Sequence, residues 1–255
     1  MSLSWIAYQT ILRKEITRFM RIWVQTLVPP VITMTLYFII FGQLIGARIG
    51  TMGGFSYMQF IVPGLIMMSA LTNSFSNVAS SFYSTKFARN VEELLVAPVS
   101  AHTIILGYIS GGMARGILVG FLVTIVSLFF VPLHIHSWLV ISLILLMTTA
   151  AFSLGGLINA IFARSFDDTS IIPTFILTPL TYLGGVFYSI SLLPPFWQTI
   201  SKLNPIVYMI NGFRFGFLGH SDLSLSYTFA VLSLFILALY GFAYYLITSG
   251  KGLRH

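Results

Sequence analysis

The chain has 255 residues, of which 57% are hydrophobic and only 7% charged, where a soluble domain carries about 25%. That composition excludes an ordinary soluble domain. The formal net charge of +7 does not point to nucleic acid, because the basic residues stand at the ends of apolar runs, the positive-inside signature of a membrane protein.

Charge-free intervals set the class. No Asp, Glu, Lys or Arg lies between Arg21 and Arg48, Arg48 and Lys86, Arg115 and Arg164, Asp168 and Lys202, or Asp222 and Lys251. Each interval exceeds the ~20 apolar residues that cross a bilayer. Cysteine is absent, which removes disulfides and thiolate chemistry. The fold class is an all-α integral membrane protein, one domain over residues 1–255.

Residues 1–23 come first. At 100° per residue, Trp5, Tyr8, Leu12, Ile16, Phe19 and Trp23 fall within an arc of about 80°, with Arg13, Lys14, Arg18 and Arg21 on the other side. This predicts an amphipathic helix lying in the headgroup region of membrane lipid, with tryptophan anchors. The stretch lacks the h-region and small-residue cleavage site of a signal peptide. Six transmembrane helices follow, over about 24–45, 58–82, 103–131, 138–161, 170–187 and 226–248. Pro29-Pro30 predicts a bend early in the first. In the third, Arg115 is expected to snorkel to the near boundary. Gly112, Gly116 and Gly120 form a small-residue ridge that serves either packing within one bundle or contact between subunits.

Between the second and third spans, residues 84–100 hold a dense charge cluster: Lys86, Arg89, Glu92 and Glu93. Asn90 is read as an N-cap with Glu93 completing a capping box. Both glutamates then lie in the first turn, where the helix dipole favours them. Leu94, Leu95 and Val96 give the short helix a greasy end, and Pro98 stops it. Asp167 and Asp168, ahead of Thr169-Ser170, cap a later helix or touch a cytoplasmic partner.

Counting basic residues fixes the expected orientation. With residue 1 inside, the inner side receives Arg13, Lys14, Arg18, Arg21, Lys86, Arg89, Arg164, Lys251 and Arg254, and the outer side Arg48, Lys202 and Arg214. Both termini are then cytoplasmic. Within residues 188–219, the apolar run 204–219 is too short to cross and is interrupted by Arg214 and three glycines, and Pro194-Pro195 breaks the segment before it. Residues 188–219 are expected to form an outer re-entrant pair before the last span. His134 and His136 share an outer turn with no further ligand, a polar turn rather than a metal site.

No carboxylate is expected inside a span, which weighs against ion-coupled transport. Asn73, Asn77, Thr178 and Thr181 could line a polar path or bond neighbouring helices. No phosphate-cradling glycine loop with lysine is present, so no ATP site is read in this chain. Neither a catalytic residue nor a cofactor-binding one stands out.

The run Arg89-Asn-Val-Glu-Glu-Leu-Leu-Val-Ala-Pro-Val-Ser100 resembles the cytoplasmic motif after the second span of ABC-2 type transport permeases. The run from Thr178-Pro-Leu-Thr-Tyr-Leu-Gly-Gly-Val-Phe-Tyr188, through Leu193-Pro-Pro-Phe-Trp197 and Asn204-Pro205, to Gly212-Phe-Arg214 is similar to that family's second hallmark. One departure is Asn90-Val91, where many relatives carry Gly-Thr. The resemblance implies a non-enzymatic permease of an ABC exporter in the bacterial inner membrane, acting as a homodimer with two copies of a separate ATP-binding subunit that holds ATP and magnesium. The helix around 90–96 would be its coupling helix, contacting that subunit through Arg89, Asn90, Glu92, Glu93, Leu94, Leu95 and Pro98. Arg13, Arg18, Asp167 and Asp168 are second-contact candidates. The cargo would be amphipathic, lipid-like or drug-like. An autonomous secondary transporter or channel, and a membrane assembly factor, are the competing readings.

Overall fold

A computed structural model describes residues 3–253. Arg254, counted above among the inner-side cations, lies outside the described residues. Helix α1 (Leu3–Arg21) leads into a long helix α2 (Trp23–Ile49) that loosens to π-helical turns over Phe38–Ile45. A tight hairpin of β1 (Thr51–Met52) and β2 (Phe55–Ser56) follows. Its corner holds Gly53 and Gly54 at φ 61° and 85°, the paired positive φ that a two-residue primed turn requires.

Helix α3 (Tyr57–Phe87) begins with a complete capping box: Gln59 N donates to Ser56 Oγ and Ser56 N to Gln59 Oε1. Then come α4 (Asn90–Val96), α5 (Ala101–Ser127) and α6 (Trp138–Phe162), the last two capped by Ser100 and Ser137. Residues 168–182 form α7, followed by α8 (Pro195–Lys202), α9 (Pro205–Leu218) and α10 (Leu225–Ser249).

Among the described residues five helices, α2, α3, α5, α6 and α10, are long and apolar enough to cross a membrane. They match five of the six expected spans. The remaining one, expected over 170–187, differs. It consists of three consecutive five-residue segments, the middle one π-helical, and ends at Tyr182. Pro173 and Pro179 each remove a ladder hydrogen bond, and Gly185 turns the chain at φ 78°. At ~1.5 Å per residue the helical part rises about 22 Å, short of the ~30 Å hydrocarbon core.

Helix α3 is the axis of the bundle. Its apolar window is 78% buried, against 17% for α2 and 22% for α10, so those two face outward. Glycines let α5 and α6 approach α3 at backbone distance. A Cβ on Gly116 would lie 2.8 Å from Ala70 O, and one on Gly156 3.1 Å from the Phe75 carbonyl carbon. The Gly112–Gly116 ridge is therefore filled from within the chain, the first of its two readings.

Two apolar clusters occupy opposite ends. One joins α2, α3, α5, α6 and α9 through residues such as Phe38, Leu65, Val119, Ile144 and Met209. The other gathers Ile11 of α1, Val91 of α4, Ala163 after α6 and Leu253 beyond α10. The first helix, the α4 loop, the α6–α7 loop and the last described turn thus meet at one end of the molecule.

Candidate functional site

The candidate site is the foot that α3 places at this shared end. α3 stops at Phe87, and the chain reverses through Arg89 at φ 60°, ψ 7°, the only non-glycine positive φ among the described residues. Left-handed backbone costs an L-residue about 1–2 kcal/mol. The turn is held by Arg89 N donating to Lys86 O at 3.0 Å and Glu92 N to Arg89 O at 3.3 Å. This corrects the capping expectation. Arg89 occupies the N-cap position with no side-chain cap bond, and Asn90 is already helical. The reversal falls one residue too early for the Asn90 side chain to cap, so no box with Glu93 forms.

Seven residues long, α4 seats itself on Val91, which is 2% exposed. Leu94 and Leu95 are partly buried against the same cluster. The apolar surface left open is Val96, 86% exposed, with Phe87 at 70%. The expectation that Leu94 and Leu95 offer the free apolar contact is thus displaced by one helical position. Glu92 and Glu93 point outward beside Val96 and Ala97, and Arg89, Asn90 and Pro98 are exposed.

A cleft of about 420 Å³ flanks the foot, lined by Tyr83, Lys86, Phe87, Arg89, Ala163 and Arg164. Lys86, expected as a free inner-side cation, is instead buried. Its Nζ donates to Ile161 O at 2.6 Å and Ala163 O at 3.0 Å, answering carbonyls that α6 leaves open at its end. Tyr83 Oη donates to Arg164 O at 2.9 Å, and Phe166 stands edge-on to Tyr83 at 4.7 Å. The α6–α7 loop is thereby fastened to the last turns of α3. Asp168 accepts from Arg164 N at 2.8 Å and Ser165 N at 3.1 Å. Those bonds, the Arg164 N–H first, hold its carboxyl below the usual carboxylate range. Asp168 is so committed to its own loop, while Asp167 is exposed and makes no side-chain cap bond.

Helix α1 docks beside the foot by its Ile11, Glu15 and Phe19 edge. Gly107 and Gly111 of α5 make room; a Cβ on Gly107 would lie 2.7 Å from Ile11 Cγ2. Tyr8 and Phe19, assigned to the lipid arc by sequence, turn inward, whereas Trp5 and Trp23 stay about half exposed. Glu15 is fully buried and was not anticipated. Ser81 Oγ donates to its carboxylate, as does Asn77 Nδ2 at 3.4 Å, and Arg18 stands 3.6 Å away. Burial pushes this carboxyl up, against the pull of Arg18. The available signal was the four-residue spacing Ile11, Glu15, Phe19, which puts one acidic group in an apolar stripe.

The polar residues proposed for a pathway are not brought together. Asn77 is bound by Arg18 at 2.9 Å and by Glu15, and Asn73 by Arg115 at 3.0 Å. Arg115, half-buried, donates to Asn73 Oδ1 and to Thr26 O, one turn into α2. Thr178 and Thr181 belong to α7 and donate to Pro173 O and Leu177 O of their own helix. Arg214, expected in the outer loop, is 1% exposed under the opposite end, bound to Phe60 O and Gly185 O.

Residues 6–218, α1 through α9, match the sequence model of the family described as ABC-2 type transporter. The chain is 67% identical over 254 residues to the inner membrane transport permease YadH of Escherichia coli strain K12, covering 100% of this chain and 99% of that protein. It is 24% identical over 235 residues to nodulation protein J of Neorhizobium galegae, covering 92% and 88%.

Proposed function

The chain belongs to the ABC-2 type transporter family, and from that premise we propose that it is the passive gate of an ATP-driven exporter whose motor pushes on α4. It is a multi-pass inner-membrane transport permease of a family that works with an ATP-binding subunit. In this proposal it works as a homodimer flanked by two copies of that subunit, which bind ATP and magnesium, with both termini cytoplasmic and an amphipathic cargo exported.

One observation carries this reading. The foot is joined to α3, the most buried of the spanning helices, through a single left-handed residue, next to the point where Lys86 of α3 clamps the end of α6. A force on α4 is therefore delivered to the helix on which α5 and α6 both pack. The face offered to the motor is Glu92, Glu93 and Val96, with Phe87 and Asp167 at its edge. A charged rim around an exposed apolar centre suits a protein partner, apolar burial giving affinity and charge giving register. Meeting of α1, the α4 loop, the α6–α7 loop and Leu253 in one cluster supports an even number of crossings. α7, ended by the turn at Gly185, is then the sixth crossing.

Alternating access follows if motor closure favours one packing of two permease copies over the other by a few kcal/mol. The test is a reconstituted complex carrying Val96→Asp or Glu92→Lys with Glu93→Lys. Both should leave insertion unchanged and abolish permease-stimulated ATP hydrolysis and transport together. Normal coupling in both variants removes α4 from the role.

A further inference from the structure

The polar edge of α1 that the docked helix leaves open forms a groove of about 490 Å³, lined by Arg13, Lys14, Thr17, Arg18, Arg21 and Ile22. Two of its cations are anchored. Lys14 Nζ donates to Thr85 Oγ1 at 3.2 Å, and Arg18 donates to the Asn77 carbonyl and side-chain oxygens, both at 2.9 Å. Arg18 Nε is buried without a partner. Arg13 and Arg21 are exposed and have no ion pair among the described residues. Four cationic side chains thus converge on one groove against a single carboxylate, Glu15, which is buried behind them.

The surroundings decide what this charge recognises. Met20, Ile22, Trp23 and Val24 are each 40–57% exposed at the same elbow, where α1 passes into the spanning helix α2. Behind Arg18 runs α3, whose Ser76 and Ser80 are half-buried and whose Ser84 is exposed. Ser80 Oγ lies 3.5 Å from Arg18 Nη1. A surface that is cationic and hydroxylated on one side, and apolar with an indole on the other, matches an anionic headgroup continued by acyl chains. The elbow also sits where a bilayer changes from headgroup to hydrocarbon, because a spanning helix starts there.

The geometry points to this groove as a binding site for the phosphate-bearing headgroup of an anionic phospholipid from the adjacent leaflet. Arg13 and Arg21 supply the free donors, anchored Lys14 and Arg18 the preorganised charge, and Trp23 the contact to the glycerol and upper chain. It shares no residue with α4, so it stands or falls apart from the coupling reading.

The test uses the full chain in liposomes with Trp5→Phe, Trp138→Phe and Trp197→Phe, leaving Trp23 as the reporter. Quenching by brominated phosphatidylglycerol is compared with brominated phosphatidylcholine at equal mole fraction. The expected result is a relative association constant about fivefold in favour of phosphatidylglycerol, the scale of one basic contact at a membrane surface. It should fall to near parity in Arg13→Gln with Arg21→Gln, whose exposed positions leave the fold intact as checked by circular dichroism. Equal quenching by the two lipids overturns the site. So does a preference that is unchanged in the double variant, or one abolished at 1 M salt, where the screening length is about 3 Å and only diffuse attraction is lost. Parity between lipids together with loss of ATP-binding-subunit association in the double variant overturns it too, and gives the groove to the protein partner.

Discussion

The hydroxyl of Ser81 on α3 donates to the carboxylate of Glu15 on α1, so the surface helix is bound to the central helix two turns above the foot. Lys14 to Thr85 and Tyr108 to Thr85 continue the same seam. α1 is consequently part of whatever motion α3 makes, and its attachment is polar at the centre and apolar at the ends.

That attachment should depend on pH with a definite sign. Burial raises the Glu15 carboxyl, with Arg18 and Lys14 opposing and Tyr108 nearby. Between its ordinary value, about 4.3, and the raised one, the docked state holds more protons than the undocked state. The docking contribution is therefore fullest below that window, and is lost as pH rises through it. Thermal midpoints in detergent should fall across the window for the native chain and stay flat for Glu15→Gln. Parallel pH curves would refute a titrating Glu15.

Spans and foot were readable because apolar length and clustered charge are local properties. The five long helices, the α4 boundaries and the stop at Pro98 follow from such runs. What sequence could not supply was which face of each helix meets which neighbour. Lys86, Arg115 and Arg214 were placed at surfaces or a boundary because they are charged, and Glu15 was given no place. Glu15, Lys86 and Arg214 are buried, and Arg115 half-buried, because a neighbouring backbone or side chain offers each partners: Ser81 and Asn77 for Glu15, the α6 terminus for Lys86, Asn73 for Arg115, Gly185 for Arg214. The Asn90 cap failed for a related reason, since a left-handed residue just before it leaves no local trace in an Arg-Asn pair.

The hinge at Arg89 makes a backbone prediction. Glycine accepts φ 60° without penalty, whereas a β-branched residue resists it. Arg89→Gly should be neutral or mildly stabilising. Arg89→Val should destabilise the foot by about 1–2 kcal/mol. Protease cleavage within residues 88–98 would report the difference, and indistinguishable rates would argue against a left-handed hinge.

Gly156 makes a packing prediction. A Cβ there would meet the Phe75 backbone, with Ala79 N at 3.2 Å, and backbone cannot yield as a side-chain tip can. Gly156→Val should cost about 3 kcal/mol or more, above the usual range for overpacking. Gly241 of α10 has nothing within 4 Å, so Gly241→Val should be tolerated. Monodisperse yield in detergent separates them, and equal yields would deny the close α3–α6 contact.

Arg214 makes the sharpest chemical distinction. Its Nη2 donates to Gly185 O at 2.7 Å, its Nε to Phe60 O at 3.2 Å, and its guanidinium lies 3.7 Å from the Phe60 ring centre. No carboxylate pairs with it among the described residues, so the planar fork, not an ion pair, justifies a buried charge. Lysine keeps the charge but can neither span both carbonyls nor stack, and should cost about 2 kcal/mol. Methionine removes the charge and fills comparable space, which relieves desolvation while leaving Gly185 O unanswered. Arg214→Lys should therefore have the lower thermal midpoint of the two. It should also expose an engineered Tyr188→Cys to an impermeant thiol reagent faster than the Arg214→Met variant does. A lysine variant as stable as the native chain would show that charge alone suffices and that the fork geometry is incidental.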